Sequence, residues 1–132
     1  MIASSNNTRL KPLLPTPGTF PELRLWLDDV RPHPEGFIRS HTASECILQL
    51  AGVHHFGLRV NFISLDHDLG DVEGTGYDVL LWIEEQTALD VNYHPPIAMA
   101  VHSDNAGARG KMTQAIQTIE KIYAQRLHHP QV

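Results

Sequence analysis

The sequence predicts one α/β domain whose mostly parallel sheet has helices on both faces. Two patterns support this fold class. Short apolar stretches that carry almost no charge alternate along the chain with longer stretches whose apolar residues recur at helical spacing. Uncharged strands of this kind are typical of parallel sheets buried between helices. A length of 132 residues is enough for one domain with its own core.

The predicted elements follow in the order strand, helix, strand, helix, strand, helix. The strands are predicted at 25–27, 60–65 and 97–101. The helices are predicted as about ten residues after the capping sequence Thr42-Ala-Ser-Glu45, as Val79 to about Leu89, and as Met112 to Leu127. A short extended segment, 37–40, follows the first strand. Its position and direction in the sheet stay open, because residues 31–36 are too few for a parallel crossover.

Residues 1–22 are predicted to form a flexible arm in front of this domain, which then runs from 23 to 128. The arm contains four prolines and a polar run of serine, asparagine and threonine, and it has no helical or alternating apolar period.

Composition excludes several classes of protein. Cys46 is the only cysteine, so an intramolecular disulfide and a thiolate metal cluster are both excluded, and a reducing, cytoplasmic location is expected. Secretion and membrane insertion are not expected, because the N-terminal residues lack the continuous apolar centre of a secretory signal and no apolar run is long enough to span a bilayer. The net charge of −5 and the lack of a basic stripe argue against a broad nucleic-acid-binding surface. The oligomeric state is not indicated.

The acidic residues are unevenly distributed. Between Arg59 and Arg109 there is no lysine or arginine, and the same interval holds nine acidic residues. Carboxylates without basic neighbours repel one another unless a cation or a proton relieves them. The interval therefore indicates either a divalent-metal site or a solvated acidic face, and the latter accounts for acids such as Glu84 and Glu85.

Three predicted strands end in polar residues. The pairs Asp28-Asp29 and His102-Ser103 each follow a strand, as does the segment Asp66-His67-Asp68. Ligands of parallel sheets bind beyond the carboxyl ends of the strands, and carboxylate oxygens suit Mg²⁺ or Mn²⁺. The candidate metal ligands are Asp28, Asp29, Asp66 and Asp68.

Other polar residues near these strand ends have two interpretations each. His67 and His102 are either proton-transfer groups or histidines satisfied within their loops. The hydroxyl of Ser103 either binds a phosphate or caps its loop. Arg31 and Arg109 either bind phosphate oxygens or pair with the acidic residues.

Four segments carry a resemblance to a known family. They are Leu25-Trp-Leu-Asp-Asp-Val-Arg-Pro32, Ile63-Ser-Leu-Asp-His-Asp-Leu-Gly70, Gly76-Tyr-Asp-Val79 and His102-Ser-Asp-Asn105. Over residues 24–125 the chain resembles the cyclic-phosphate-processing receiver-like domains, which are compact relatives of response-regulator receivers. The resemblance implies a small receiver-like, flavodoxin-like sheet.

The resemblance also implies roles for individual residues. Asp28 and Asp29 match the acidic pair that helps to hold Mg²⁺ in receivers, and Asp66 matches their phosphate-accepting aspartate. Ser103 or His102 lies where receivers place a small hydroxyl residue. Two features depart from receivers: the helix between the first two strands is missing, and only a helix follows Ser103 in place of a further strand that ends in lysine. The sheet is therefore expected to lack the last receiver strand.

The acidic residues at the strand ends predict a metal site, and the resemblance implies that the protein is a metal-dependent phosphoesterase that processes a cyclic phosphate. The substrate would be a cyclic nucleotide or the 2',3'-cyclic phosphate end of an RNA, and the cofactor Mg²⁺ or Mn²⁺. The predicted catalytic residues are Asp66, His67, His102 and Ser103, and the predicted substrate-binding residues are Arg31, Asn105 and Arg109. The alternative is a non-catalytic receiver-like module that binds a cyclic nucleotide or a partner protein.

Overall fold

A computed structural model of the chain describes residues 22–69 and 74–128. The predicted N-terminal arm lies, except for Glu22, outside these residues. The strands are β1 (Arg24–Leu27), β2 (Ile38–Ser40), β3 (Phe62–Leu65) and β4 (Ala98–Val101). The helices are α1 (Ala43–His55), α2 (Gly76–Leu89) and α3 (Ala106–His128). None of the helices in the described part of the chain is long and apolar enough to cross a membrane.

The four strands form one parallel sheet in the order β2-β1-β3-β4. This confirms the predicted receiver-like α/β fold, and within the described residues no fifth strand follows α3. The segment whose direction the sequence left open is β2, which pairs parallel to β1 with Leu25 opposite Ile38. A loop, residues 28–37, makes this connection where a helix would be usual, and a bond from the Asp28 N–H to the Ser40 carbonyl (3.1 Å) closes it.

The starts of α1 and α2 are fixed by side-chain caps. The hydroxyl of Thr42 accepts from the Glu45 N–H (3.0 Å), but the Glu45 carboxylate accepts from the His41 N–H, so only half of the predicted capping box forms. α1 has 13 residues and is longer than predicted. The complete capping box belongs to α2, where Thr75 and Asp78 bond reciprocally.

The core lies between the sheet and the three helices. Alternating side chains of β1 and β3 point into it, and Leu27, Ile63 and Leu65 are fully buried. They pack with residues from all three helices in one hydrophobic cluster. Burying a side chain of this size stabilises the fold by about 1.5–3 kcal/mol. The burial of these strands holds the residues that follow them at a defined edge.

All three helices lie on one face of the sheet, which differs from the prediction of helices on both. The chain moves from β2 to β3 and on to β4 in one direction, so right-handed crossovers place α1 and α2 on the same face, and α3 packs against α2. The step from β1 to β2 runs in the opposite direction and would place a helix on the second face, but it is the loop 28–37. We call this second face, which bears Trp26, Phe62 and Ser64, the open face.

Candidate active site at the carboxyl edge of the sheet

Three carboxylates converge where β1 and β3 end. The two strands are neighbours with Leu27 opposite Leu65, so the residues that follow them lie side by side. One carboxylate oxygen from each of Asp28, Asp29 and Asp66 lies within 4.8 Å of the others. We call these three residues the acidic triad. Hard divalent cations prefer such oxygen ligands, so the donor set of the triad fits Mg²⁺ or Mn²⁺.

Asp28 is held by hydrogen bonds on both carboxylate oxygens. Its Oδ1 accepts from the backbone N–H groups of Val30 (2.9 Å) and Arg31 (2.7 Å). Its Oδ2 accepts from Nε2 of His102 at 3.0 Å. The residue is only 1% exposed, and a carboxylate at this depth is stable only with such donors. The orientation of Asp28 is therefore set by its neighbours.

The environment of Asp66 disfavours its negative charge. Burial raises the pKa of Asp66 above its usual value, and the charge of Asp28 raises it further, although the backbone N–H of His67, which donates to Oδ1 at 2.8 Å, opposes the shift. A bound cation would relieve both effects. The triad thus has the electrostatics expected of a cation site.

A cavity of about 350 Å³ opens above the triad. Its lining adds Val30, Arg31, Asp68 and Asp104 to the three aspartates. Among the described residues, Arg31 is the only cation in this lining, and its guanidinium donates to the His102 carbonyl (3.0 Å) and to Asp104 Oδ2 (3.1 Å). The cavity therefore combines a carboxylate cluster with one guanidinium.

Asp68 lines the cavity but does not belong to the acidic triad. Its Oδ1 lies 2.8 Å from Nδ1 of His67, which as N–H donates to it. Within the described residues, no partner is present for Nε2 of His67. This arrangement orients the imidazole and leaves Nε2 for exchange with solvent or a ligand.

The ring of His102 is enclosed by protein groups. Nδ1 lies 2.6 Å from the Ser64 hydroxyl, Nε2 bonds to Asp28, and the ring stacks on Trp26 with 3.8 Å between the centroids. Burial lowers the pKa of His102, and the hydrogen bond and charge of Asp28 oppose this shift. His102 is therefore brought to the site, but both of its nitrogens are already engaged.

The structure places the remaining predicted residues in the turn between β4 and α3. Ser103 is buried, and its hydroxyl accepts from the Asn105 N–H at 3.1 Å. The Asn105 side chain accepts from the Ala108 N–H at 3.0 Å and so caps α3. The Arg109 guanidinium donates to the Ser103 carbonyl at 3.0 Å. Within the described residues, none of the three lines the cavity above the triad.

Four residues at the site were not predicted from the sequence. Trp26 and Ser64 contact His102, and Asp104 pairs with Arg31. Gly76 lies so close to β3 that an added Cβ would stand 2.0 Å from the carbonyl oxygen of Asp66. One signal was available: Trp26 and Ser64 alternate with the core leucines and isoleucine, so a polar and an aromatic side chain share the second face of the sheet.

Searches of curated proteins and of solved structures each give no match to this chain. A family model does match, and it describes the cyclic-phosphate processing receiver domain over residues 23–118. The match covers all four strands, the acidic triad and most of α3. The chain belongs to the family of cyclic-phosphate processing receiver domains.

Proposed function

We propose that the protein is a divalent-metal-dependent phosphoesterase that opens a cyclic phosphodiester. The substrate would be a cyclic nucleotide or the 2',3'-cyclic phosphate end of an RNA. The observation that carries this proposal is the convergence of Asp28, Asp29 and Asp66 below a cavity that Arg31 also lines. Membership in a family named for cyclic-phosphate processing supports the choice of substrate.

The triad and Arg31 have complementary tasks in this proposal. Mg²⁺ or Mn²⁺ held by the three aspartates would supply Lewis-acid polarisation of a phosphate oxygen. Arg31 binds a second phosphate oxygen and stabilises the charge that develops on it. Its bonds to the His102 carbonyl and to Asp104 hold the guanidinium in place before the substrate arrives.

Proton transfer is assigned to His67, which is not itself in the cavity lining but lies between two residues that are, Asp66 and Asp68. Because Nδ1–H donates to Asp68, the neutral ring has its lone pair on Nε2. A water molecule adds to phosphorus and loses a proton to Nε2. One ring P–O bond breaks, and the imidazolium of His67 returns its proton to the released oxygen, which gives a phosphomonoester and restores the neutral ring. The Asp68 carboxylate stabilises the imidazolium in between.

One observation favours the non-catalytic alternative. Both ring nitrogens of His102, the histidine whose imidazole bonds to the acidic triad, are engaged by Asp28 and Ser64. A module that binds a cyclic nucleotide needs no free imidazole and would keep the same cavity. The two candidates differ only in turnover.

Turnover is tested by ³¹P NMR on a panel of cyclic phosphates: 2',3'-cyclic and 3',5'-cyclic nucleotides and an oligoribonucleotide with a 2',3'-cyclic end. We expect a phosphomonoester signal to grow with Mn²⁺ or Mg²⁺ and to be absent with a chelator. Asp66→Asn is expected to abolish it, and Glu85→Gln, on the exposed surface of α2, to leave it unchanged. Saturable binding without turnover for every compound would contradict the enzyme and support the binding module.

A further inference from the structure

We propose that Trp26 and Ser64 are positioning residues that hold the ring of His102 against Asp28 and thereby fix the Asp28 carboxylate within the acidic triad. This inference rests on one part of the proposed function, namely that Asp28 is a ligand of a divalent cation. It assigns a task to two residues of the open face.

The register of the sheet brings Trp26 and Ser64 together. They are direct partners across β1 and β3, so both side chains emerge on the open face in the same row. The next member of this row is Ala100 of β4, which is opposite Ser64. Because the side chain of Ala100 is small, it leaves space above this row for the ring of His102, which follows two residues later in the chain. The row therefore forms a platform on which the imidazole lies.

Apart from its bond to Asp28, two contacts fix the position of the imidazole. Its plane is within 5° of the Trp26 indole, and the centroids are 3.8 Å apart. The indole is itself held, because its Nε1–H donates to the Arg31 carbonyl at 3.1 Å. The Ser64 hydroxyl, 2.6 Å from Nδ1, sets the rotation of the ring within that plane. Stacking and one in-plane bond together leave the ring a single orientation.

This orientation determines which nitrogen carries the proton. A carboxylate only accepts hydrogen bonds, so Nε2 of His102 carries hydrogen and donates to Asp28 Oδ2. In the neutral ring Nδ1 then accepts from the Ser64 hydroxyl. The chain of bonds runs from Ser64 through His102 to Asp28, and it ends on a carboxylate that is 1% exposed.

The consequence for Asp28 follows from its remaining contacts. Oδ1 is held by two backbone N–H groups, so rotation of the carboxylate is controlled at Oδ2 by His102 alone among the described residues. Hydrogen-bond partners of metal-ligating carboxylates orient those ligands. If the imidazole loses its platform, Asp28 loses its second anchor, and the triad is no longer preset for a cation.

The test compares Trp26→Leu and Ser64→Ala with the conservative variants Trp26→Phe and Ser64→Thr. Phe62→Leu is the matched control, because Phe62 lies on the open face one row away and packs on Phe37. Titration calorimetry with Mn²⁺ should give about tenfold weaker binding for Trp26→Leu and Ser64→Ala, the lower end of the range for such partners. The conservative variants and Phe62→Leu should stay close to the unmutated protein.

A second readout does not depend on the metal or on turnover. ¹⁵N NMR of the imidazoles should show His102 of the unmutated protein as the Nε2–H form, and Trp26→Leu and Ser64→Ala should shift and broaden its signals. Unchanged His102 signals in both variants, or Mn²⁺ affinities equal to that of Phe62→Leu, would overturn the inference. If Trp26→Leu does not fold, Ser64→Ala against Ser64→Thr decides. Absence of turnover with every cyclic phosphate would refute the proposed function and leave this inference standing.

Discussion

Replacing Asp66 by asparagine should have opposite effects on the protein with and without metal. Asparagine has the same shape as aspartate, and its side-chain oxygen can still accept from the His67 N–H. The change therefore removes a charge and little else. Without metal the variant should be more stable than the unmutated protein, because the repulsion within the acidic triad is reduced. With metal it should lose the stabilisation that a bound cation gives.

The size of the first effect follows from the spacing of the triad. The carboxylate oxygens of the triad lie within 4.8 Å of one another, and at that upper limit two unit charges repel by about 1 kcal/mol in water and about 3.5 kcal/mol at an effective dielectric constant of 20. Asp66 is partly exposed, so we expect a gain of about 1 kcal/mol. For a domain of this size that raises Tm by about 4 °C. For the unmutated protein, 10 mM Mg²⁺ at a Kd of about 1 mM adds about 1.4 kcal/mol.

Thermal unfolding with and without Mg²⁺ measures both effects. Glu85→Gln is the control for net charge, since Glu85 is exposed on α2 and should leave both melting temperatures as they are. Asp68→Asn should keep most of the metal-induced stabilisation, because Asp68 lies outside the triad. An Asp66→Asn variant that is less stable without metal, or that still gains stability from Mg²⁺ as the unmutated protein does, would refute this reasoning.

Three further predictions concern Gly76, Arg31 and pH. Gly76→Ala places a Cβ 2.0 Å from the Asp66 carbonyl oxygen. Denaturant unfolding should therefore show that the free energy of unfolding falls by about 3 kcal/mol. An unchanged free energy of unfolding would contradict the close packing of α2 against the end of β3. Arg31→Gln should lower kcat for a cyclic phosphate about a hundredfold, while the Mg²⁺-induced rise in Tm persists. Arg24→Gln, on the open face, is the control. If Arg31→Gln abolished metal binding, Arg31 would not be acting on the phosphate alone. The pKa of Asp66 is raised in the folded protein. The contribution of Asp66 to the stability of the unmutated protein is therefore most favourable at low pH, where Asp66 is protonated, and it is lost as pH rises through the raised, folded-state pKa. The advantage of Asp66→Asn without metal should therefore be full at neutral pH and vanish below pH 3.8, the usual pKa of the group, and an advantage that does not change with pH would contradict this origin.

Periodicity predicted the elements well because the strands and helices each bury one set of residues. The uncharged runs that end at Leu27 and Leu65 are typical of buried strands, and parallel pairing of two such strands brings Asp28 and Asp66 to one edge of the sheet. The position of β2 was harder, because three residues carry no period of their own. Its pairing depends on closure of the loop 28–37 by the bond from the Asp28 N–H to the Ser40 carbonyl, which is a tertiary effect.

The face of the sheet that stays without helices was also beyond local reasoning. The face on which a right-handed crossover places its helix depends on the order of the strands in the sheet. That order could not be predicted as long as the position of β2 was open. For the same reason the contacts of Trp26 and Ser64 with His102 could not be predicted, since they require the register of β1 against β3. Ser64 and His102 are 38 residues apart in the chain, so local sequence patterns cannot predict the 2.6 Å contact between the Ser64 hydroxyl and Nδ1 of His102.

The most direct test of the central claim is the anomalous scattering of manganese in crystals grown or soaked with Mn²⁺. We expect an anomalous difference peak within coordination distance of carboxylate oxygens from Asp28, Asp29 and Asp66, in the cavity that Arg31 also lines. In crystals of Asp66→Asn the peak should be lost or strongly reduced. A manganese peak only elsewhere on the chain, or no peak at these three carboxylates at millimolar Mn²⁺, would show that the acidic triad is not the metal site.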